Sequence, residues 1–286
     1  MRLVSYESVS GPRIAAVRDG KIVDLNRTDP TLPATMIELL GLGPAGIQKA
    51  RAAAANGELL SLNSVKLLAP VPRPEKVICV GLNYADHARE TGKELPSEPV
   101  IFNKFVTAVS AHGDPIVLPK VSRKVDYEAE LVVVIGRDGR HISRETALSH
   151  VAGYCCGNDV SARDWQTGKP AGQWLLGKSF DTFAPFGPEL VTADEIGEPG
   201  NLRVQLRLNG RTMQDSSTNQ FIFSIPELIA YVSGVCTLHT GDVLFTGTPP
   251  GVGFARKPPV YLQPGDIAEV EIERIGVLRN PIVAEA

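Results

Sequence analysis

The stretch DYEAELVVVIG (126–136) constrains this chain most tightly, because Glu128 and Glu130 alternate with Ala129 and Leu131 directly before an unbroken apolar run. Side chains at i and i+2 share one face of a strand, so both carboxylates point the same way. A run that is apolar on both faces predicts a strand buried in a sheet. Two acids at its mouth repel each other and lose hydration at considerable cost unless a cation sits between them. Oxygen-only ligands suit magnesium, calcium or manganese better than zinc. Such a site needs a further acid, and Asp159 in CCGNDVSARD supplies it from a polar turn after the small apolar run VAGYCCG. On spacing alone, a plainer arrangement serves equally well, with the glutamates on a solvated strand face and Asp159 capping a helix that begins at Ser161.

The rest of the chain predicts an α+β fold, mostly β. In residues 1–70, LVSY, RIAAV and KIVDL read as short strands with a hairpin turn at Asp19-Gly20. TMIELL and PAGIQKARAAAAN read as helices, the second with Pro44 in its first turn and its end at Asn56-Gly57. Pro70, Pro72 and Pro74 then remove three backbone donors in close succession, which places a boundary between a small N-terminal α/β domain, 1–70, and a main domain, 71–286. Strand candidates multiply in the main domain: KVICVG, PVIFNKF, PIVLP, AELVVVIG, LRVQLRLNG, DVLFTG and AEVEIERIG, with a second hairpin at Asn209-Gly210. ETALSHVAGY and FSIPELIAYVSGV have helical spacing. Many short strands and few helices favour a closed or rolled mixed sheet over a doubly wound one.

A length of 286 residues with 43% hydrophobic content buries a substantial core. A net charge of -3 gives no electrostatic footprint for nucleic acid or an anionic membrane surface. No apolar stretch is long enough to span a bilayer and MRLVSYESVSGPR has no signal-like apolar segment, so the expected address is cytoplasmic. Cys79, Cys155, Cys156 and Cys236 have no regular spacing and read as reduced, buried thiols.

Taken together and in order, VGLNYADHARE, DYEAELVVVIG, GYCCGNDVSARDWQ, GKSFDTFAPFGP and TGTPPGVG resemble the fumarylacetoacetate hydrolase family over roughly residues 71 to 286. Within that family the chain most resembles the bacterial-type 2,4-dioxo acid hydrolase, or acylpyruvase, branch. The resemblance implies a mixed β-roll catalytic domain, a magnesium or manganese ion held by Glu128, Glu130 and Asp159, a small 2-oxo acid as substrate, and a homodimer. A further acidic ligand carried upstream by fumarylacetoacetases proper has no clear match, which counts against fumarylacetoacetate itself.

His87 and Glu90 lie three apart in NYADHARE, so on a short helix they share a face and can hydrogen-bond. Without a partner His87 would be an ordinary solvated helix residue. The resemblance makes the pair the water-activating acid and base of a mobile lid, here Tyr84 to Pro99. It makes Lys178 an active-site lysine that stabilises an enolate or oxyanion. Arg163 and Gln166 fit one helical face turned toward the metal, although a salt bridge near a helix cap explains Arg163 as well. Thr248 sits among glycines where backbone can approach a ligand, and its hydroxyl would bind a carboxylate. Tyr84 is expected at the substrate and Lys104 close behind these groups, whereas His112, His141, His150 and His239 lack comparable partners.

These residues lead us to expect hydrolytic carbon-carbon cleavage of an acylpyruvate or a sugar-derived diketo acid to pyruvate and a carboxylic acid. The same site would serve an oxaloacetate-type decarboxylase, an isomerase, a dehydratase or a ureidoglycolate lyase. A non-catalytic oxo-acid-binding protein is the reading from another class, and the presence of His87, Glu90 and Lys178 beside three acids argues against it.

Overall fold

The computed structural model describes residues 1–92 and 94–286. Strands β1 (Arg2–Ser8), β2 (Gly11–Arg18) and β3 (Lys21–Asp24) form an antiparallel meander. Asp19 and Gly20 both have positive φ, 52° and 71°, the handedness that a two-residue hairpin needs to match strand twist. The two helices predicted next are α1 (Met36–Gly41), capped by Thr35, and α2 (Gly43–Asn56).

Beyond the prolines come β4 (Val77–Gly81), α3 (Ala85–Thr91), β5 (Val100–Lys104), β6 (Ala129–Ile135) and β7 (Val151–Asn158). Two short helices, α4 (Arg163–Gln166) and α5 (Trp174–Lys178), lead to β8 (Ala184–Thr192), β9 (Arg203–Leu208) and β10 (Arg211–Ser217). Helix α6 (Ile225–Val235) opens with a Ser224/Glu227 capping box and precedes β11 (Val243–Phe245), β12 (Ile267–Ile272) and β13 (Gly276–Ala284).

Beyond a short end strand, Leu60–Ser61, the larger sheet runs in the order β3-β2-β1-β8-β7-β6-β11-β4-β5, parallel where β11 meets β4 and where the short strand Val109–Ser110 joins β8. A second sheet, β10-β9-β12-β13, is completed by the short strand Ile116–Leu118. The chain is thus a mostly β mixed fold, as predicted. Strand β1 pairs with β8 through Leu3 and Leu190, so strands from both sides of the expected boundary at residue 70 belong to one sheet. Every residue of β6 is buried, and Glu128 and Glu130 are only 7% and 1% exposed, which rules out the solvated face.

One helix is misassigned by the sequence pattern. Over ETALSHVAGY only Ala147–His150 coil, as a single 3-10 turn, and from Val151 the chain is β7. Strand β7 is hydrogen-bonded on both edges, to β6 and to β8, and this pairing overrides the helical spacing. Gly153 permits the close approach: a Cβ there would lie 2.2 Å from the Val191 carbonyl oxygen. Nor does a helix begin at Ser161, since Ser161–Ala162 is a short strand paired with Val125–Asp126.

Because that contact is backbone and cannot swing aside, Gly153→Ala is expected to destabilise the fold by about 1–3 kcal/mol, the usual range for overpacking. Urea unfolding checks this, and an unchanged midpoint would show that β7 and β8 can part more easily than their register implies.

Candidate active site

The pairing of β6 with β7 assembles the acids. Ala129 lies opposite Asn158 and Glu130 opposite Gly157, so Glu128 and Asp159 flank the end of the ladder, joined by Asp159 N–H donating to the Glu128 carbonyl at 2.9 Å. Carboxylate oxygens of Glu128, Glu130 and Asp159 all come within 4.8 Å of one another. The three side chains are buried.

Cations from three other elements converge on them. Lys178, at the end of α5, donates to Glu128 Oε2 at 2.8 Å and to Asp159 Oδ2 at 2.7 Å. Lys104, at the end of β5, pairs with Asp159 and donates to the Val160 carbonyl at 3.0 Å. Arg163 Nη2 stands 2.6 Å from Glu128 and 2.8 Å from Asp126, though not in line for a hydrogen bond with either, while Nε donates to Asp126 at 2.9 Å. The salt bridge foreseen for Arg163 therefore exists, and its Nη1 donates to Gln166 Oε1 at 2.9 Å.

Electrostatics divides the acids. Burial alone would raise the Glu128 carboxyl, but Lys178 and Arg163 override it and hold it down at about 2. Glu130 has only the Gly247 N–H, at 2.7 Å, and burial together with the charges of Asp159 and Glu128 pushes it well up. Burial lowers Lys104, whereas Asp159 and Glu128 overcome burial to raise Lys178. Glu130 is the acid that the lysines and arginine compensate least, and a hard divalent cation held by all three carboxylates would supply the missing charge. The donor set fits magnesium or manganese.

His87 and Glu90 meet as the spacing predicts. Both lie on α3, with His87 Nδ1 2.9 Å from Glu90 Oε2, and the other Glu90 oxygen accepts from Gly251 N–H at 2.9 Å. Helix α3 forms the first half of the expected lid, Tyr84 to Pro99, of which Lys93 lies outside the described residues. A cavity of about 140 Å³ is lined by His87, Glu128, Arg163, Gln166, Lys178 and Thr248, among others. Apolar groups, Leu82, Phe102, Trp174 and Phe254, complete much of its wall.

Two expected substrate contacts take a different form. Thr248 donates its hydroxyl proton to the Ala129 carbonyl at 2.9 Å and accepts from Gln214 at 2.8 Å, so the hydroxyl ties its turn to β6. Tyr84 is fully buried outside the cavity wall, edge-on to Phe221 at 4.9 Å, and its hydroxyl has no hydrogen-bond partner among the described residues. Burial, then the charge of Glu130, pushes that hydroxyl well up. The other histidines hold structure elsewhere: His150 contacts Arg137 and His239 contacts Asp138.

Asp126 escaped the sequence reading. It is fully buried, fixes Arg163, and accepts from Gly253 N–H at 2.7 Å and Phe254 N–H at 3.0 Å. Its signal was present, because Asp126, Glu128 and Glu130 continue one alternation. Gln214 gave no such signal; its Oε1 accepts from Ala129 N–H at 2.9 Å from a different sheet.

A buried acid trio, a lysine set against it and a histidine-carboxylate pair at a small cavity are the equipment of an enzyme. Residues 76–283 match the family model "Fumarylacetoacetate (FAA) hydrolase C-terminal", and the chain belongs to this family of enzymes. It is 50% identical to oxaloacetate tautomerase fahd2, mitochondrial, of Xenopus laevis, over 99% of this chain and 90% of that protein. Identity to oxaloacetate tautomerase FAHD2A, mitochondrial, of Homo sapiens is 48%, over 99% and 92%. A solved maleylpyruvate hydrolase from Sphingobium sp. SYK-6, in complex with manganese(II) and pyruvate, superposes with a TM-score of 0.83 at 32% identity, covering all of both chains. The family is the one that the motifs indicate, but these curated relatives carry the names of tautomerases rather than of acylpyruvases. Their names also place them in mitochondria, not the cytoplasm; in this chain no helix among the described residues is long and apolar enough to cross a membrane.

A raised Glu130 keeps its proton to higher pH in the folded state than in the unfolded one, so metal-free stability falls as pH rises above about 4.3. Glu130→Gln removes that penalty. In chelator, its melting temperature at pH 8 is expected to exceed that of the parent by several degrees, with the gap closing below about pH 4.3. Magnesium or manganese should raise the melting temperature of the parent and leave the variant unmoved. Calorimetry reads both effects, and metal stabilisation persisting in the variant would remove Glu130 from the ligand set.

Proposed function

We propose that this chain is a metal-dependent enzyme that interconverts the keto and enol forms of a small 2-oxo acid, with oxaloacetate as its substrate. The observation that carries the reading is the make-up of the cavity: His87, backed by Glu90, and Lys178 line the same small space as Glu128, one of the acid trio. The names of relatives with about half their residues in common support oxaloacetate over the acylpyruvates that the motifs first suggested.

The chemistry follows from the residues. Glu90 accepting from His87 Nδ1–H leaves Nε2 as the basic nitrogen. His87 takes a proton from C3, the electron pair left behind forms the C2–C3 double bond, and the carbonyl π electrons move to the C2 oxygen. The ammonium of Lys178, kept charged by Asp159 and Glu128, meets the charge developing on that oxygen. Protonation of the oxygen gives the enol, and the reverse steps return the ketone. A divalent cation held by Glu128, Glu130 and Asp159 would supply Lewis acidity toward the oxygens of the 2-oxo acid. Arg163 and Gln166, on the cavity wall, orient a carboxylate.

Hydrolysis of a 2,4-dioxo acid is the second reading, favoured by the likeness to a maleylpyruvate hydrolase. In it His87 takes its proton from water instead. With magnesium or manganese, enol oxaloacetate absorbance should relax faster than in buffer. Lys178→Met should abolish that acceleration, and His87→Ala should cut it by about 10²–10⁴, the usual worth of a positioned acid-base group. Release of pyruvate from acetylpyruvate without any acceleration of oxaloacetate tautomerisation would replace this reading with the hydrolytic one.

The working form is a homodimer. Strand β5 ends the larger sheet among the described residues, and its exposed Val100 and Ile101, with Phe105 and Val235 nearby, give an open apolar edge suited to a second copy. Sedimentation should give a dimer that Ile101→Lys combined with Val235→Lys converts to monomer, whereas a monomeric parent would refute it.

A further inference from the structure

The acid-lined side of the cavity answers to the part that all 2-oxo acids share, so selection among them falls to the apolar remainder of the wall. That remainder has an unusual construction. Leu82 lines it with a φ of 51°, left-handed backbone that a branched, bulky residue adopts only under constraint. The neighbouring Asn83 supplies the constraint: its side-chain nitrogen donates to Thr246 O at 2.8 Å and Phe223 O at 3.1 Å, and its oxygen accepts from Phe223 N–H at 2.8 Å. Leu82 is therefore held at the cavity.

Trp174 sits against this fixed wall. A Cβ on Gly81 would lie 3.1 Å from its indole ring, so glycine at 81 is what lets the ring settle on the backbone. Phe102 meets it edge-on, with ring centroids 5.5 Å apart and planes at 69°. Trp174 opens the same short helix that ends at Lys178, and Gly177 of that helix lies against Gln166, where an added Cβ would come within 2.6 Å of the backbone nitrogen. The indole is thereby positioned by the same rigid element as the lysine. A volume of about 140 Å³ falls below the roughly 300–1,000 Å³ of ordinary small-molecule pockets.

We propose that Trp174 is the specificity-determining residue of this site: its indole, seated on Gly81 and against Phe102, fills the apolar end of the cavity and excludes 2-oxo acids with long chains. The inference rests on the proposed function, in that a 2-oxo acid is taken to occupy the cavity. Trp174 sets length rather than charge, because it brings bulk and the charged groups lie on other parts of the wall.

The test is a binding series on the magnesium-loaded full chain, with pyruvate, 2-oxobutanoate and 2-oxohexanoate as probes, read by calorimetry as the ratio of the Kd for 2-oxohexanoate to that for pyruvate. The parent should disfavour the longer acid at least tenfold. Trp174→Ala should reduce that ratio at least tenfold, and Trp174→Phe, which keeps an aromatic ring in place, should give an intermediate ratio. A general loss of structure would weaken both acids together and leave the ratio where it was. Equal ratios in parent and both variants, or a parent that binds long and short acids alike, overturns the role of Trp174 while leaving the proposed function intact. Should the alanine variant not fold, the ratio in Trp174→Phe decides: unchanged, it overturns the role. Failure of any 2-oxo acid to bind the parent would sink both readings.

Discussion

Four buried carboxylates, Asp126, Glu128, Glu130 and Asp159, confront three buried cations, Lys104, Arg163 and Lys178, and the rest of the structure is arranged around that confrontation. Charges removed from water cost several kcal/mol each unless they are paired and hydrogen-bonded, so this cluster survives only with strict geometry. The geometry comes from strands. Lys104 ends β5, Glu128 and Glu130 bracket the start of β6, and Asp159 follows β7, all within one sheet. Because β6 and β7 have partners on both edges, their register cannot slip without pulling the acids away from the lysines. One carboxylate remains in excess, and burial beside Asp159 and Glu128 pushes Glu130 up, so it is the acid whose ionisation a bound cation would favour most.

Much of this was legible in the sequence because it is local. Alternation marked Glu128 and Glu130 as sharing a face, the apolar run marked β6 as buried, and a spacing of three put His87 beside Glu90. Hairpins at Asp19-Gly20 and Asn209-Gly210 declared themselves because they require positive φ at both positions, which the residue types permit. What was not legible depends on partners distant in the chain. Strand β7 looks helical until β6 and β8 are placed beside it. Nothing in the sequence shows that Gln214, from the second sheet, donates to the Thr248 hydroxyl. Asp126 lay within the alternating pattern, yet only the fold shows that it anchors Arg163. The choice between hydrolysis and tautomerisation was the least legible part, because both begin from the same histidine and lysine.

The turn TGTPPGVG links the acids to the histidine. Thr246 bonds to Leu131, Gly247 to Glu130, Thr248 to Ala129 and Gly251 to Glu90, so one short segment touches successive residues of β6 and then the carboxylate behind His87. Two of its glycines are obligatory for this path. Gly247 has a φ of 99° and leaves room for Asn83, and Gly251 has a φ of 101° with its Cβ direction blocked 2.1 Å away by the Met213 carbonyl. The backbone is thus committed at both ends, with little freedom between.

This coupling bears on how one scaffold can host several reactions of 2-oxo acids. The acid trio and Lys178 are built on strands and on a helix packed directly against the neighbouring one, so the part that stabilises a developing enolate is rigid. His87 is different, since α3 is held by side-chain and single backbone contacts: Glu90 to Gly251, Asp86 to Ser216, Arg89 to Gln220 and the Tyr84–Phe221 bridge. Under the proposed chemistry, the placement of α3 would set which proton His87 can reach, that of substrate carbon or that of water, while the charges below stay on the sheet. On the proposed reading, enolate stabilisation would be a property of the sheet, and reaction choice a property of the helix docked on it. The apolar wall of Leu82, Phe102 and Trp174 stands between the two, where it can limit the substrate without altering either.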